Sequence, residues 1–416
     1  MRFIIAILFW FHCITYNLRM NTITNRPIEL VTFSTLYPNS ARPHHGIFVE
    51  NRLRHLLSAG DVNARVVAPV PWFPFSAPFF GRYASFAKVM PRETREGVVV
   101  EHPRYLLLPK IGMGTAPGSM ASACYPVLRR LQQERDFDLI DAHYFYPDGV
   151  AALRLGRRLK KPVVITARGT DVNLIPQFPG PRRMILEAAR EAAGIVAVSQ
   201  ALKDAIVELG IAPERVTVLR NGVDLDLFRP GAREAGRAEL GLSGPVLLSV
   251  GHLIERKGHD LIIRALPSLP GYSLLIAGEG PEAPPLKQLA VELNVSSRVR
   301  FLGSVAHREL HKIYAAADAL VLASSREGWP NVLLEAMACG TPVVASNIWG
   351  NPEVVSCPES GVLMQARSAE GVAEAVRQLF RALPARTATR RYAEDFSWDA
   401  TSAGQLQLFQ NILRNR

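Results

Sequence analysis

Two glutamates and two adjacent cations are the residues of this sequence best suited to act together in chemistry. Glu327 and Glu335 stand eight positions apart in SSREGWPNVLLEAMACGTP, and Arg256 and Lys257 lie in GHLIERKG. Two adjacent cations in a loop after a strand can neutralise a diphosphate, and a carboxylate beside a phosphate can accept hydrogen bonds from sugar hydroxyls. Taken singly, each pair is more often a solvated surface feature, so the inference depends on their combination.

The helix predicted between the two glutamates offers backbone donors. Pro330 and Asn331 suit a first helical turn, so the amides of Asn331, Val332 and Leu333 are expected to be free and to point into a cleft. The amino end of a helix attracts anions. This segment therefore predicts a phosphate site flanked by carboxylates.

Glycine-containing turns follow two other predicted strands. Gly278 begins the turn GEGP, and Leu302 and Gly303 end the segment FLG. An exposed backbone at the second strand end could pair with the edge of a nucleobase, although ordinary core followed by a turn explains the same letters. The sequence contains no P-loop motif GxxxxGK[ST].

The elements that must position these residues alternate along the chain. Apolar strands that alternate with amphipathic helices predict parallel sheets covered on both faces, and hence an α/β fold. The predicted strands are 28–33, 65–70, 98–101, 138–142, 163–167, 194–198, 216–219, 246–250, 273–277, 299–302, 319–322, 342–345 and 361–364. The predicted helices are 47–59, 120–134, 149–160, 182–193, 200–209, 258–266, 284–293, 307–316, 331–338, 369–381 and Trp398–Leu413.

The chain divides into two α/β domains of similar size. An apolar extension (1–26) precedes a first domain at 27–228, and a second domain occupies 245–397. Between them, 229–244 is rich in glycine, alanine and arginine, which is typical of a linker. The last helix, within 398–416, is expected to cross back onto the first domain. Two facing sheets predict a ligand cleft at the carboxyl ends of their strands.

Composition and charge restrict the class of protein. The 416 residues include 48% hydrophobic and 20% charged residues, which excludes a disordered, collagen-like or coiled-coil protein. Lys and Arg exceed Asp and Glu by 48 to 37, a net charge of +11, which suggests anionic partners or solubility alone. No basic run is interleaved with an aromatic platform, so nucleic-acid binding is not expected.

The amino-terminal segment is apolar but is not a clear membrane span or signal peptide. Residues 3–18 (FIIAILFWFHCITYNL) are short for a membrane span, which needs about 20 residues, and no clear cleavage site follows them. A signal or anchor, an interfacial segment and an upstream start codon with Met20 as the true start all remain open. We favour a mis-assigned start or a loose membrane contact over secretion, and hence a cytoplasmic protein.

The combined motifs resemble glycosyltransferase family 4. The spacing of Glu327 and Glu335, the Arg256-Lys257-Gly258 loop and the GEGP and FLG turns carry this resemblance, which covers the chain from about residue 28 to its end. It implies the GT-B architecture, in which two Rossmann-like domains face each other. It also implies transfer of a sugar from a nucleotide-sugar to an acceptor, with retention at the anomeric carbon and with no metal or cofactor.

The resemblance assigns roles in the second domain. Arg256 and Lys257 would bind the diphosphate and stabilise the leaving nucleotide, and Glu327 would contact the transferred sugar. Glu335 would hold the ribose hydroxyls. The backbone donors at residues 331–333 would serve the phosphate or the sugar, and the glycine turns at Gly251, Gly278 and Gly303, with Leu302, would surround the donor.

The resemblance also assigns roles in the first domain. Gly46, in PHHGIFV, matches a glycine loop that approaches the diphosphate, and His143, at a strand end, is favoured as a donor-sugar contact over a satisfied core histidine. Arg168 stands where the family often has histidine and could pair with an anionic acceptor. Asp171 and His45 are further acceptor candidates, although loop capping explains Asp171 equally well and simple exposure explains His45 better.

The sequence is also compatible with other functions. A related GT-B enzyme, such as a sugar-nucleotide epimerase or a phosphorylase, would share the architecture, and a periplasmic two-lobe sugar-binding protein would share the two lobes. The acceptor is expected to be a glycan or a lipid-linked saccharide. The aromatic segment 71–83 (PWFPFSAPFFGRY) could touch an anionic membrane at its cytoplasmic face, or fold onto its own domain.

Overall fold

The first domain is built on a mostly parallel sheet of eight strands. A computed structural model describes residues 26–107 and 112–415, without the side chains of Pro78 and Arg82, so the apolar segment 3–18 lies outside the described residues. The strands are β1 (Ile28–Phe33), β2 (Val62–Val67), β3 (Val70–Pro71), β4 (Arg92–Arg95), β5 (Val98–Glu101), β6 (Arg104–Tyr105), β7 (Leu139–His143), β8 (Val163–Ala167), β9 (Gly194–Ala197) and β10 (Val216–Val218). The sheet order is β10-β9-β8-β7-β1-β2-β5-β4, with β4 antiparallel to β5, while β3 and β6 form a separate pair.

Helices cover both faces of this sheet. They are α1 (Ile47–Ser58), α2 (Arg82–Ala87), α3 (Gly112–Glu134), α4 (Val150–Leu159), α5 (Thr170–Asn173), α6 (Pro179–Glu191) and α7 (Gln200–Glu208). Every residue of β7, β8 and β9 is buried, which explains their near-continuous apolar sequences.

The second domain is built on a six-stranded, wholly parallel sheet. Its strands are β11 (Val246–Val250), β12 (Ser273–Ala277), β13 (Val299–Gly303), β14 (Ala319–Leu322), β15 (Val343–Ser346) and β16 (Gly361–Met364), in the order β13-β12-β11-β14-β15-β16. Its helices are α8 (Arg233–Glu239), α9 (His259–Ala265), α10 (Ala283–Glu292), α11 (Leu310–Ala316), α12 (Asn331–Ala338), α13 (Asn351–Val354), α14 (Ala369–Arg381) and α15 (Arg386–Glu394). The predicted α/β class with two facing domains is therefore confirmed.

The glycine-rich segment 229–244 is not simply a linker. It contains α8, and the guanidinium groups of Arg233 and Arg237 both ion-pair with Asp318, at 3.1 Å for Arg237. Asp318 also accepts a hydrogen bond from the amide of Val246, at the start of β11. These contacts attach α8 to the second domain, which the composition of the segment does not reveal.

The last helix, α16 (Trp398–Arg414), packs on the first domain. Phe409 is fully buried in the same apolar cluster as Leu30, Val164 and Val196 from three strands of the first sheet. Gln405 is also buried and hydrogen-bonds to Arg52 of α1 and Asp141 of β7. The end of the chain is thus part of the first domain's core.

Several predicted elements differ from the structure: α3 begins at Gly112 rather than at residue 120, β6 is not predicted, and the clearest differences among the longer strands are at β2 and β4. β2 begins at Val62 rather than at residue 65, because its register pairs Val62 with Ile28 and Val67 with Phe33. β4 (RETR) is missed because a charged edge strand lacks apolar alternation. Among the residues that the structure describes, no helix is long and apolar enough to cross a membrane.

Candidate active site

A cavity of about 390 Å³ lies between the two domains, at the carboxyl ends of both sheets. The first domain contributes Leu36, Phe48, Tyr144, Arg168, Gly169, Thr170, Asn173, Val198 and Asn221. The second contributes Arg256, Lys257, Arg326, Glu327, Gly328, Trp329, Pro330, Asn331 and Val332. This is the interdomain position at which an open α/β sheet binds its ligand.

The cation pair and Glu327 meet in this cavity. Lys257 Nζ donates to Glu327 Oε1 at 2.6 Å, and Arg256 Nη1 lies 3.8 Å from Glu327 Oε2. Arg256 Nη1 also donates to the carbonyl of Arg326 at 2.6 Å, which joins the two loops. Burial opposes ionisation of Glu327, but Lys257 and Arg256 outweigh it and hold its pKa below the ordinary value. Glu327 is therefore a carboxylate at neutral pH.

The start of α12 differs from its prediction. Asn331 and Val332 line the cavity, but the amide of Asn331 donates to the carbonyl of Trp329 at 3.1 Å, and that of Leu333 to the carbonyl of Pro330 at 2.9 Å. The Leu333 side chain is fully buried. The expectation of three free amides is wrong for Asn331 and Leu333, because the tight turn before the helix uses them.

Glu335 does not reach the cavity in this structure. Its Oε1 lies 3.1 Å from His307 Nε2, and its Oε2 accepts from the Tyr314 hydroxyl at 2.8 Å. Burial alone would lower the pKa of His307, but the hydrogen bond to Glu335 and the charge of its carboxylate together raise that pKa above its ordinary value. Contact between Glu335 and a ribose would thus require the carboxylate to take additional donors or to exchange those it has.

The glycine turns lie beside the cavity rather than on its wall. The amide of Gly251 donates to the carbonyl of Ala277 at 3.0 Å, and that of Gly278 to Gly303 at 2.8 Å, which prolongs the sheet beyond the strand ends. Leu302 is half-buried in β13. None of these four residues lines the interdomain cavity.

Gly46 allows two segments of the first domain to touch. It immediately precedes α1 with φ of 71°, and a Cβ there would stand 2.3 Å from the carbonyl carbon of Leu36. Only glycine tolerates both the conformation and the contact. Gly46 is itself buried, and its effect on the cavity comes through Leu36 and Phe48, which line it.

His143 is buried behind the cavity wall. It is 1% exposed, its Nε2 lies 3.2 Å from Asp141 Oδ2, and its Nδ1 accepts from Arg168 Nη2 at 2.7 Å. Burial lowers the pKa of His143 to about 4, so the ring is neutral. The expectation that His143 faces the cleft is wrong for this structure, because Arg168 covers it.

Arg168, unlike His143, does line the cavity. It donates to Asn221 Oδ1 at 3.1 Å, and its guanidinium carbon lies 5.2 Å from the ring centre of Phe48. Burial lowers the pKa of Arg168 to about 9, which leaves it a cation at neutral pH. Its Nε is buried and has no hydrogen-bond partner among the described residues.

Asp171 and His45 are not cavity residues. Asp171 is fully buried and accepts the amides of Phe145 at 2.8 Å and Gly169 at 2.7 Å, so of its two predicted roles the structure favours loop capping over contact with the acceptor. The Nε2 of His45 lies 3.1 Å from the carbonyl of Thr35. His45 lines a neighbouring cavity in the first domain instead.

Three polar residues of the cavity wall are not identified from the sequence. Arg326 stands beside Glu327 and adds a further cation, and Tyr144 follows His143 with an unusual φ of 91°. Asn221 begins the segment NGVD, and it donates through Nδ2 to Asn331 Oδ1 at 3.2 Å and so links the domains. Its neighbouring glycine is a turn signal, but nothing in the sequence places it opposite Asn331.

The balance of charge in the cavity favours an anion. Arg168, Arg256, Lys257 and Arg326 face a single lining carboxylate, Glu327. Cations held by a rigid frame at a partly buried site stabilise negative charge that develops during a reaction more strongly than water does. The arrangement can therefore bind a diphosphate and stabilise its departure.

Two family models together match most of the chain. "Glycosyltransferase Family 4" matches residues 41–227 and "Glycosyl transferases group 1" matches 233–396. A D-inositol 3-phosphate glycosyltransferase of Saccharomonospora viridis is 32% identical over 352 residues, which is 77% of this chain and 81% of that protein. The enzyme of the same description from Mycobacterium bovis is 36% identical over 304 residues, 67% of this chain and 62% of that protein.

Solved structures share the fold. Sucrose-phosphate synthase from Thermosynechococcus elongatus superposes with a TM-score of 0.77 at 21% identity, covering 94% of this chain and all of that one (100%). Anabaena HepE in complex with UDP superposes with a TM-score of 0.68 at 21% identity, covering 92% and 98%. At this identity the likeness concerns the fold alone.

Proposed function

The chain belongs to glycosyltransferase family 4, and from this premise we propose that the interdomain cavity is where a nucleotide-sugar donor loses its sugar. The protein is a glycosyltransferase that uses a nucleotide-sugar donor. The observation that supports the location is the contact of Lys257, Arg256 and Glu327 at the start of α12, inside the cavity. Neither an epimerase nor a periplasmic binding protein is supported by the relatives.

The cations would act on the leaving nucleotide. When the bond between the anomeric carbon and phosphate oxygen breaks, negative charge grows on the diphosphate and positive charge on the sugar ring. Lys257 and Arg256 are placed to stabilise the first, and the ionised Glu327 stabilises the second. Because Glu327 is a carboxylate at neutral pH, it does not serve as a proton donor.

We propose retention of configuration through attack on the same face. In this route the acceptor hydroxyl approaches from the side of the leaving group, and a phosphate oxygen takes its proton. The buried, neutral His143 lies behind Arg168 and would influence the site through that cation rather than by contact with the sugar. The reaction then needs no protein base opposite the leaving group.

The acceptor is proposed to be a polyol, a glycan or a lipid-linked saccharide. D-inositol 3-phosphate is a suitable first compound to test, because the enzymes named for it are 32% and 36% identical to this chain. A lipid-linked saccharide is the second. Transfer assays with both, followed by product mass, would identify the class.

We propose contact with the cytoplasmic face of an anionic membrane. In the segment 71–83, Trp72, Phe75 and Phe79 are 53%, 55% and 93% exposed, although Phe73 and Phe80 pack on each other at 5.4 Å. Exposed aromatic rings and a net charge of +11 favour an anionic lipid surface. Phe79→Ser should weaken binding to phosphatidylglycerol vesicles, whereas Val291→Ser, an exposed position in the second domain, should not.

A thermal-shift panel with UDP, GDP and ADP tests the donor site. Ligand at about 100 times its Kd stabilises the folded state by roughly 2.7 kcal/mol, so one nucleotide should raise the Tm clearly. Lys257→Ala should abolish that shift, while Lys312→Ala, an exposed lysine paired with Glu309, should keep it. The proposal fails if no nucleotide stabilises the wild type, or if Lys257→Ala responds as the wild type does.

A further inference from the structure

A second cavity, of about 190 Å³, lies in the first domain beside the interdomain one. Leu36 lines both cavities, so a ligand in one can extend toward the other. Thr35, Asn39, Arg42, His45 and Tyr105 contribute polar groups to its wall.

Arg42 is a cation without a counterion in this cavity. No carboxylate of the described residues ion-pairs with it, and its Nε is buried without a hydrogen-bond partner among them. Its guanidinium carbon lies 5.0 Å from the ring centre of Phe86, which orients the group. A half-buried arginine in this state is costly unless it meets an anion.

The loop that carries Arg42 is held in place. Asn39 Oδ1 accepts the amide of Arg42 at 2.9 Å and the amide of Ala41 at 3.2 Å. The carboxylate of Glu93 is engaged by His102 at 2.8 Å and by the amide of Ser40. The guanidinium position is thus built into the fold, and the neighbouring acid has other partners.

Neutral donors stand beside the cation. Tyr105 is 4% exposed, and no described residue hydrogen-bonds its hydroxyl. Burial lowers the pKa of His45 to about 4, and its bond to the carbonyl of Thr35 makes Nε2 the protonated nitrogen. One guanidinium with several N–H groups and one phenol suit the several acceptor oxygens of a phosphate.

We propose that this cavity binds a phosphate group carried by the acceptor, with Arg42 as its charged ligand and Tyr105 as a second donor. This inference rests on the proposed function, because the phosphate would hold the acceptor while its hydroxyl reaches past Leu36 to the donor sugar. The phosphate can belong to a soluble sugar or polyol phosphate, or to a lipid headgroup. Arg42 is thereby a specificity residue, outside the donor site.

The test is calorimetric titration of the full chain with inorganic phosphate while UDP saturates the donor site. Arg42→Gln should weaken phosphate binding by about tenfold or more, and Arg42→Lys should retain part of it. Tyr105→Phe should weaken it severalfold. Arg183→Gln removes the same charge from an 80% exposed side chain of the same domain and should stay within about twofold of the wild type.

A second arm distinguishes the two sources of phosphate. If Arg42→Gln also loses binding to phosphatidylglycerol vesicles, the phosphate belongs to a lipid headgroup. If it loses inorganic phosphate but keeps the vesicles, the acceptor is a soluble phosphate. Equal phosphate affinity in wild type and Arg42→Gln, or no phosphate binding by the wild type, overturns the proposal.

The donor site is measured separately, so that the two proposals can fail independently. UDP affinity should be the same in Arg42→Gln and the wild type. If UDP does not bind the wild type, the assignment of the donor site is contradicted for that nucleotide. Phosphate is then titrated into the Lys257→Ala variant without nucleotide. Weaker phosphate binding by the double variant Lys257→Ala/Arg42→Gln than by Lys257→Ala still supports the phosphate site.

Discussion

At the scale of the residue, Glu327 and a diphosphate would compete for one ammonium group. Glu327 Oε1 lies 2.6 Å from Lys257 Nζ, so a phosphate oxygen must share or replace that contact. The carboxylate accelerates the reaction only if it stabilises the transition state of the sugar by more free energy than it removes from nucleotide binding.

Glu327→Gln should separate these two effects. We expect the affinity for the nucleoside diphosphate to stay equal or to rise severalfold, because Lys257 loses its competing charge. Turnover of the nucleotide-sugar should fall about 100-fold or more, because the positive charge of the transition state loses its partner. Calorimetry with the diphosphate and steady-state kinetics would measure both, and weaker diphosphate binding together with normal kcat would contradict this account.

Asp148 makes the stability of the folded chain depend on pH. It is fully buried beneath the end of β1, where the amide of Thr35 donates to it at 2.7 Å. Burial raises the pKa of Asp148 to about 7 from 3.8, although the bonds from Thr35 and Ser34 oppose the rise. Between these values the folded chain holds a proton that the unfolded chain has released, so stability falls as pH rises through this window.

Asp148→Asn should remove that dependence. From pH 5 to pH 8 the wild type should lose on the order of a few kcal/mol of unfolding free energy from this group, and the variant should lose much less. Urea unfolding at both pH values measures the difference. Asp204→Asn, on the exposed face of α7, is the control, and identical pH slopes for Asp148→Asn and the wild type would refute the assignment.

At the scale of the element, strong apolar periodicity predicts where strands and helices begin and end, but it does not predict which side chains of different elements meet. The predicted bounds of β8, β11, β12, β14 and α12 match the structure, because each is a compact apolar run between polar or glycine positions. β4 and α8 are missed because charged and glycine-rich segments take their structure from partners such as β5 and Asp318. Sequence places polar groups on elements, but not opposite one another.

In the candidate active site, too, strand positions are predictable from the sequence and most side-chain contacts are not. The clustering of Arg256, Lys257 and Glu327 follows from their positions at the carboxyl ends of neighbouring strands, β11 and β14. The bonds from His307 and Tyr314 to Glu335 come from a different helical segment and cannot be read from spacing. The same is true of Arg168, which covers His143.

The helix α16 gives an element-scale prediction through Gln405. Its Oε1 accepts from Arg52 Nε at 2.7 Å, and its Nε2 donates to Asp141 Oδ2 at 2.9 Å, all within the buried interior. Gln405→Leu leaves two buried charged groups short of partners and should cost about 2–4 kcal/mol of unfolding free energy. Gln407→Leu, on the exposed face of the same helix, should change it by less than about 0.5 kcal/mol. Equal chemical-denaturation midpoints for the two variants would contradict the role of Gln405.

At the scale of the whole molecule, the domains meet backbone to backbone. A Cβ on Gly328 of the second domain would stand 1.9 Å from the carbonyl oxygen of Arg168 in the first, and 3.2 Å from the Cα of Gly169. Real side chains do not approach this closely, so any larger residue must separate the domains. The width of the cavity therefore depends on this glycine.

Gly328→Ala should open the cleft without unfolding either domain. We expect kcat to fall by about tenfold or more, because Glu327 and Asn331 move away from the first domain, while the Tm changes little. Gly180→Ala, where a Cβ meets nothing within 4 Å, should match the wild type in both measurements. Small-angle scattering should detect the larger radius in Gly328→Ala; an unchanged radius and kcat would disprove the close approach.

The return of α16 to the first domain has a consequence for how the molecule can move. The chain leaves that domain after β10 and re-enters it before Trp398, so the second domain is in topological terms an insertion with two tethers. The two crossing segments lie side by side, since the amide of Val223 donates to the carbonyl of Phe396 at 2.8 Å, and so form one double-stranded hinge between the domains.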